Sequence, residues 1–423
     1  MSNSVVRKSE CVDELVDPSN FSDAPAERVA YVCHELGQHK GVNISIEASN
    51  TFAFQYPEEM TLAVEGELGP DADVYVYSRS FNPTVEVLGR YLAAMEATES
   101  AYCTSSGMSA ITAIFMYLCK NGGHVVAANA LYGGTHFLLK NFLPEKCNVE
   151  TKFVDITNFE EVDSAIIEGQ TTVLYFETVS NPALVVADTL QLSTIAHKKN
   201  VKVVVDNTFA PMILTPAKYG ADIVVHSLTK YVSGGSDVLA GAICGKHDMV
   251  QEITNFARGP LMMLGPVMNP MEAFQLLGRM AHLGVRMKKH CSRALKLATR
   301  MKNELNIKVM YPGLKDHPDY ELMNQMRNKG YGFGGVVCID VDSTDQAYKL
   351  LTKLRENKFG FLAVDLGYYE TLMSCPGATA GPPKPSPKRG DITPGFIRFS
   401  VGYLGTLDQK WKQFKKAYQE MDA

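Results

Sequence analysis

No apolar run in this 423-residue chain is long enough to cross a bilayer. The first ten residues, MSNSVVRKSE, have no apolar core ahead of a cleavage site. Neither a membrane span nor a secretory leader is therefore expected. Basic charge is not in excess: Lys and Arg number 41 against 46 Asp and Glu, a formal net charge of −5. Nucleic acid or an anionic membrane would call for a positive field, so neither is an expected partner. The nine cysteines show no CxxC pair and no metal-ligand spacing. They read as reduced single thiols, which points to the cytoplasm and to no metal. A G-x-x-x-x-G-K-[ST] segment is missing, which excludes a P-loop nucleotide site. GYGFGG, residues 330–335, matches G-x-G-x-x-G only formally. Polar residues precede it and a strand pattern follows, the reverse of a dinucleotide fingerprint, so it reads as a turn. No internal repeat is present.

What is there is the composition of an ordinary enzyme, 46% hydrophobic and 21% charged. The length favours two domains. Residues 1–70 are polar and irregular, with a helical pattern near 26–39 and an extended GVNISIEASNTFAF, and read as an arm that packs on a neighbouring subunit. From 71 to 275, short β-branched runs alternate with amphipathic helical patterns. This predicts an α/β unit with a mostly parallel sheet and helices on both faces. Residues 276–423 read as a smaller α+β domain that begins with one long helix. The patch Arg286-Met287-Lys288-Lys289-His290 on that helix reads as a solvated face. A Pro- and Gly-rich loop covers 375–395.

Three features carry chemistry. Ser105-Ser106-Gly107-Met108 joins a strand to a helix, where free N–H groups and the helix dipole suit an anion. Asp206 ends a very apolar strand in VVVDNTFAP, and a buried carboxylate needs a cation. Lys230 ends the next apolar strand, IVVHSLTK, with Ser227 and Thr229 alternating beside it. An amine in an apolar pocket becomes a nucleophile. Phosphate donors, a buried aspartate and a strand-end lysine together suit pyridoxal phosphate (PLP).

The segments YSRSFNPT, SSGMSAI, LYGGT, YFETVSNP, VVVDNTFAP, HSLTKYVSGG and IRFSVG resemble the γ-family of PLP enzymes of sulfur amino-acid metabolism. Within it they look closest to methionine γ-lyases of the plant type. The resemblance implies the type I PLP-transferase fold with a seven-stranded sheet. It implies a homodimer with shared active sites, usually paired into a homotetramer. Lys230 would carry the cofactor, Asp206 would face its ring nitrogen, and Tyr132 would stack on the ring and aid departure of the γ-substituent. Ser106, Gly107, Met108, Ser227 and Thr229 would hold the phosphate, joined by Tyr77 and Arg79 from a neighbouring subunit. Asn181 would approach the cofactor's phenolic oxygen near Glu177. Arg398, in an otherwise apolar run, would grip the substrate carboxylate, with Asp365 and Leu366 nearby. The implied reaction is γ-elimination of methionine to methanethiol, 2-oxobutanoate and ammonia. The alternative is γ-replacement on an O-acyl-homoserine or cystathionine-type substrate. Gly134 stands where bacterial methionine γ-lyases commonly carry cysteine. The family usually has serine where this chain has Asp365. That carboxylate would either repel the substrate's own or pair with Arg398, and so alter substrate choice, or turn away and matter little.

Overall fold

Residues 22–119, 122–379 and 389–421 are described by the computed structural model. The first 21 residues of the expected arm and residues 380–388 of the Pro/Gly-rich loop lie outside them. Strands β1 (Ser100–Thr104), β2 (His124–Ala128), β3 (Glu150–Val154), β4 (Thr171–Glu177), β5 (Lys202–Asp206), β6 (Ile223–Ser227) and β7 (Gly241–Gly245) form one sheet in the order β1-β7-β6-β5-β4-β2-β3. Strands β2 to β6 are parallel, and β7 runs against both β6 and β1. Val203, Val204, Val205, Val224 and Val225 are buried. Branched side chains pack well on both faces of such a covered sheet. The ends of β1, β4, β5 and β6 therefore share one edge, the edge where parallel sheets collect function.

A second sheet joins β8 (Lys308–Met310), β9 (Val336–Asp340), β10 (Phe361–Leu362), β11 (Leu372–Ser374) and β12 (Phe396–Ser400) in the order β10-β11-β12-β9-β8. The GYGFGG turn leads into β9, as read from the sequence.

Some local expectations are corrected. The first helix is Pro25–Val32 and stops before 39. There the chain reverses at Gly37, whose N–H bonds Gly41 O at 2.8 Å. GVNISIEASNTFAF pairs only through an isolated bridge, Thr51 to Tyr77, among the described residues. The long helix expected over residues 280–305 is Leu283–Leu305, and a separate helix, Pro270–Met280, precedes it. The basic patch is not one solvated face. Lys288 and Lys289 are exposed, but His290 is buried against Val401 O at 2.7 Å. Arg286 turns inward and donates to the carbonyls of Tyr231 (2.5 Å) and Val232 (2.8 Å). A helix of 3.6 residues per turn sends neighbours in a charge run to opposite faces.

Candidate active site

The helix Gly107–Leu118 begins at the end of β1. Ser106 caps it, its hydroxyl accepting Ser109 N–H at 3.1 Å. The cap uses the N–H at the third helical position. The N–H groups of Gly107 and Met108, which precede it, have no intrahelical acceptor and open toward the cavity that both residues line. Gly107 must be glycine because a Cβ there would stand 2.8 Å from Ser227 Cβ. The close approach brings the helix start against the end of β6. Ser227 is fixed in turn, its N–H donating to Thr208 Oγ1 at 2.7 Å. Thr229 is buried, and its hydroxyl bridges Ala240, accepting from the N–H at 3.0 Å.

Asp206 and Glu177 end adjacent strands, directly opposite each other. Asp206 Oδ1 accepts Thr208 N–H at 2.9 Å, and the Tyr175 hydroxyl points at Oδ2 at 3.4 Å. Burial pushes the Asp206 carboxyl up, with the Thr208 bonds and the charge of His226 opposing it. No cation pairs with it among the described residues. Glu177 accepts the backbone N–H of Tyr132 at 2.5 Å and of Asn181 at 3.0 Å. Burial, and then the charge of Asp206, push it up to about 8. Glu177 thus orients two candidate residues from behind, a role that spacing alone did not reveal. The Tyr132 side chain is 48% exposed at the cavity. A Cβ on Gly134 would lie 2.6 Å from the Tyr132 ring, so a side chain there would displace the ring.

Arg398 projects from β12, 6% exposed. It donates from Nη1 to Asn181 Oδ1 at 2.9 Å, and from Nη2 to Val364 O at 2.7 Å and Asp365 O at 3.1 Å. Its Nε is buried with no partner among the described residues. Burial pulls its guanidinium below the ordinary value. The expected contact between the Asp365 side chain and Arg398 is absent. Two carbonyls and Asn181 occupy N–H groups on Nη2 and Nη1 and leave Nε open, and the Asp365 carboxylate meets Lys230 Nζ at 2.5 Å instead. Leu366 is buried beside it.

Ser106, Gly107, Met108, Tyr132, Asn181, Asp206, Ser227, Thr229, Lys230, Leu366 and Arg398 thus line one cavity of about 560 Å³. Tyr77 and Arg79 do not line it. Arg79 sits over the Tyr77 ring at 5.8 Å and bonds Met262 O at 2.9 Å. Thr208, Ser236 and Arg286 also support the site and were not singled out in the sequence. Thr208, two residues beyond Asp206, is where an Asx-type bond is expected.

An anion cradle at a helix start, a buried acceptor lacking a cation and a lysine between them match the three polar ends of PLP, so the residues present fit that group. A helix-covered sheet with these groups at the carboxyl ends of its strands defines a PLP-binding fold. Residues 30–417 match the family described as Cys/Met metabolism PLP-dependent enzyme, and the chain belongs to it. It is 56% identical over 400 residues to methionine gamma-lyase of Arabidopsis thaliana, covering 94% of this chain and 90% of that one. It is 39% identical to L-methionine gamma-lyase of Fusobacterium nucleatum subsp. polymorphum, over 79% of this chain and 84% of that one. Among solved structures it superposes on a putative O-acetylhomoserine (thiol)-lyase of Campylobacter jejuni. The TM-score is 0.83 at 26% identity, over 93% of this chain and 99% of that one. That structure carries N'-pyridoxyl-lysine-5'-monophosphate. The chain is a PLP-dependent enzyme.

Proposed function

We propose that this enzyme carries out γ-elimination on methionine, which with water gives methanethiol, 2-oxobutanoate and ammonia. The observation that carries the reading is the charge pattern of the cavity. Arg398 offers one cationic fork for one carboxylate, and Lys230 is the other cation among the lining residues. The remaining wall includes Val179, Phe209, Leu239, Val364 and Leu366. An amino acid with an uncharged thioether arm suits that wall, whereas a second zwitterionic end would be left without partners. The similarity to enzymes named methionine gamma-lyase points the same way.

Asp206 would pair with the cofactor's ring nitrogen, the N–H groups of Gly107 and Met108 with Ser227 would hold its phosphate, and Lys230 would attach to it. When bound, PLP supplies an electron sink for the charge left on the substrate's Cα. The protein's residues do the rest. Arg398, oriented by Asn181, fixes the substrate carboxylate through its fork. Lys230 Nζ takes the proton from Cα, hands it on, and as a free amine again takes one from Cβ. The Tyr132 hydroxyl, on a backbone held by Glu177, gives a proton to the departing sulfur. The half-exposed Tyr77 and the Arg79 beside it belong to the site of a neighbouring subunit, in a dimer that pairs into a homotetramer. Residues 1–70 would act as an arm on that neighbour, save for the helix Pro25–Val32, which packs on its own chain through the buried Arg28, Val29 and Val32; 71–275 would serve as the cofactor domain and 276–423 as the domain carrying Arg398. Cytoplasmic residence agrees with the free thiols among the described residues. No helix among them is long and apolar enough to cross a membrane.

The purified enzyme loaded with PLP should release 2-oxobutanoate and methanethiol from methionine without any added nucleophile. The likeness to the Campylobacter protein, named a putative O-acetylhomoserine (thiol)-lyase, gives γ-replacement its support. Turnover confined to O-acyl-homoserine plus a thiol would replace the first reading with that one.

A further inference from the structure

Asp365 has no part in the reaction as derived, yet it makes the one ion pair of Lys230 among the described residues. Lys230 Nζ lies 2.5 Å from Asp365 Oδ1. The other carboxylate oxygen accepts the Ser236 hydroxyl at 3.0 Å. The backbone beneath is held on two sides. Arg398 clamps the carbonyls of Val364 and Asp365, and Gly367 N–H bonds Ser400 Oγ at 3.0 Å. Gly367 has φ +85°, and a Cβ there would lie 2.7 Å from Tyr231 N and 2.9 Å from Lys230 C. The segment that carries the carboxylate is therefore pressed against the backbone that carries the lysine. Lysine has a long flexible stem, so its tip goes where its partner is fixed. Lys230 lines the cavity and Asp365 does not. The carboxylate thus draws the amine to the cavity wall. The two side chains keep 27% and 23% of their exposure, so the pair is screened and can be broken.

We propose that Asp365 is a positioning residue that holds Lys230 in a resting ion pair, and that capture of the cofactor has to break this pair. The inference rests on reading Lys230 as the attachment point. Attachment joins Nζ to the cofactor's aldehyde carbon and expels the aldehyde oxygen as water. No electrons are exchanged. Nζ must first give up an ammonium proton, which passes to Asp365 Oδ1 and on to solvent. In competition with attachment, the pair slows loading and favours release.

The test compares full-length wild type, Asp365→Ser and Asp365→Asn, each stripped of cofactor and matched for melting temperature and circular dichroism. One measurement is the rate of the absorbance change when PLP is added. The other is labelling of Lys230 by an amine-reactive ester, read by peptide mass spectrometry without cofactor. Both variants should capture PLP about fivefold faster or more and label more readily, as loss of a screened pair implies. Equal rates with equal labelling, or slower capture in the variants, would overturn the proposal. Borohydride reduction of the loaded enzyme tests the underlying reading separately. If no pyridoxyl adduct maps to Lys230, the attachment reading fails, while the labelling comparison still reports on the pair.

Discussion

Glu177 and Asp206 place two buried carboxyl groups on facing positions of neighbouring strands, and both are pushed up. In the protonated form Glu177 costs the fold least. Its folded value of about 8 lies above the ordinary value of 4.5. The stability tied to that proton is therefore fully present below the unfolded value and lost as pH rises through the folded one. Cofactor-free wild type should lose melting temperature between about pH 4.5 and about pH 8, and Glu177→Gln should flatten that slope. Scanning fluorimetry across pH reads it, and parallel slopes would assign the alkaline loss to other groups. Tyr132→Phe keeps the ring and removes the hydroxyl. It should lower kcat by roughly 10²–10⁴-fold, the usual span for a lost general acid, while PLP absorbance stays. Arg398→Lys should instead raise KM for methionine by on the order of tenfold or more, because an ammonium cannot reproduce the planar fork.

At the scale of elements, the cradle is a contact between a helix start and a strand end. Gly107→Ala would force its Cβ into the 2.8 Å gap to Ser227 Cβ. It should weaken PLP binding about tenfold or more, as measured by equilibrium dialysis, and cost roughly 1–3 kcal/mol of stability. A smaller change in affinity would place the phosphate elsewhere. Elements also decide what was legible in the chain. The strand end at Asp206 could be read because a valine-rich run stops there, and Ser106-Gly107 because a cap signal precedes an apolar helix, whereas the strand read as ending at Lys230 stops at Ser227 and leaves the lysine in the turn beyond it. The inward turn of Arg286 could not, since a charge run does not say which of its members faces the core. The Asp365–Lys230 pair was hidden for a similar reason. The identity of Asp365 drew attention, but its direction depends on the Arg398 Nη groups already bonding two carbonyls and Asn181.

At the scale of the molecule, the candidate site draws on both sheets, Lys230 and Asp206 from one and Arg398 from the other. Tyr77 and Arg79 lie outside the cavity of their own chain, which frames a test of shared sites. Arg79→Ala and Lys230→Ala should each be inactive as pure proteins. Coexpressed, they should regain activity, because a mixed dimer holds one site with both residues intact. No recovery would sink the shared-site reading.

The pairing of β1 with β7 has one more outcome, in the order in which the protein is made. β1 and the helix that starts at Gly107 are synthesised early, but Gly241, the partner of both Thr104 and Ser227, comes much later. Until the ribosome has passed Gly245, the newborn chain has half a cradle and no lysine locked beside it. Arg398 follows later still. The residues read as meeting the cofactor are thus all synthesised before the one read as meeting the substrate carboxylate.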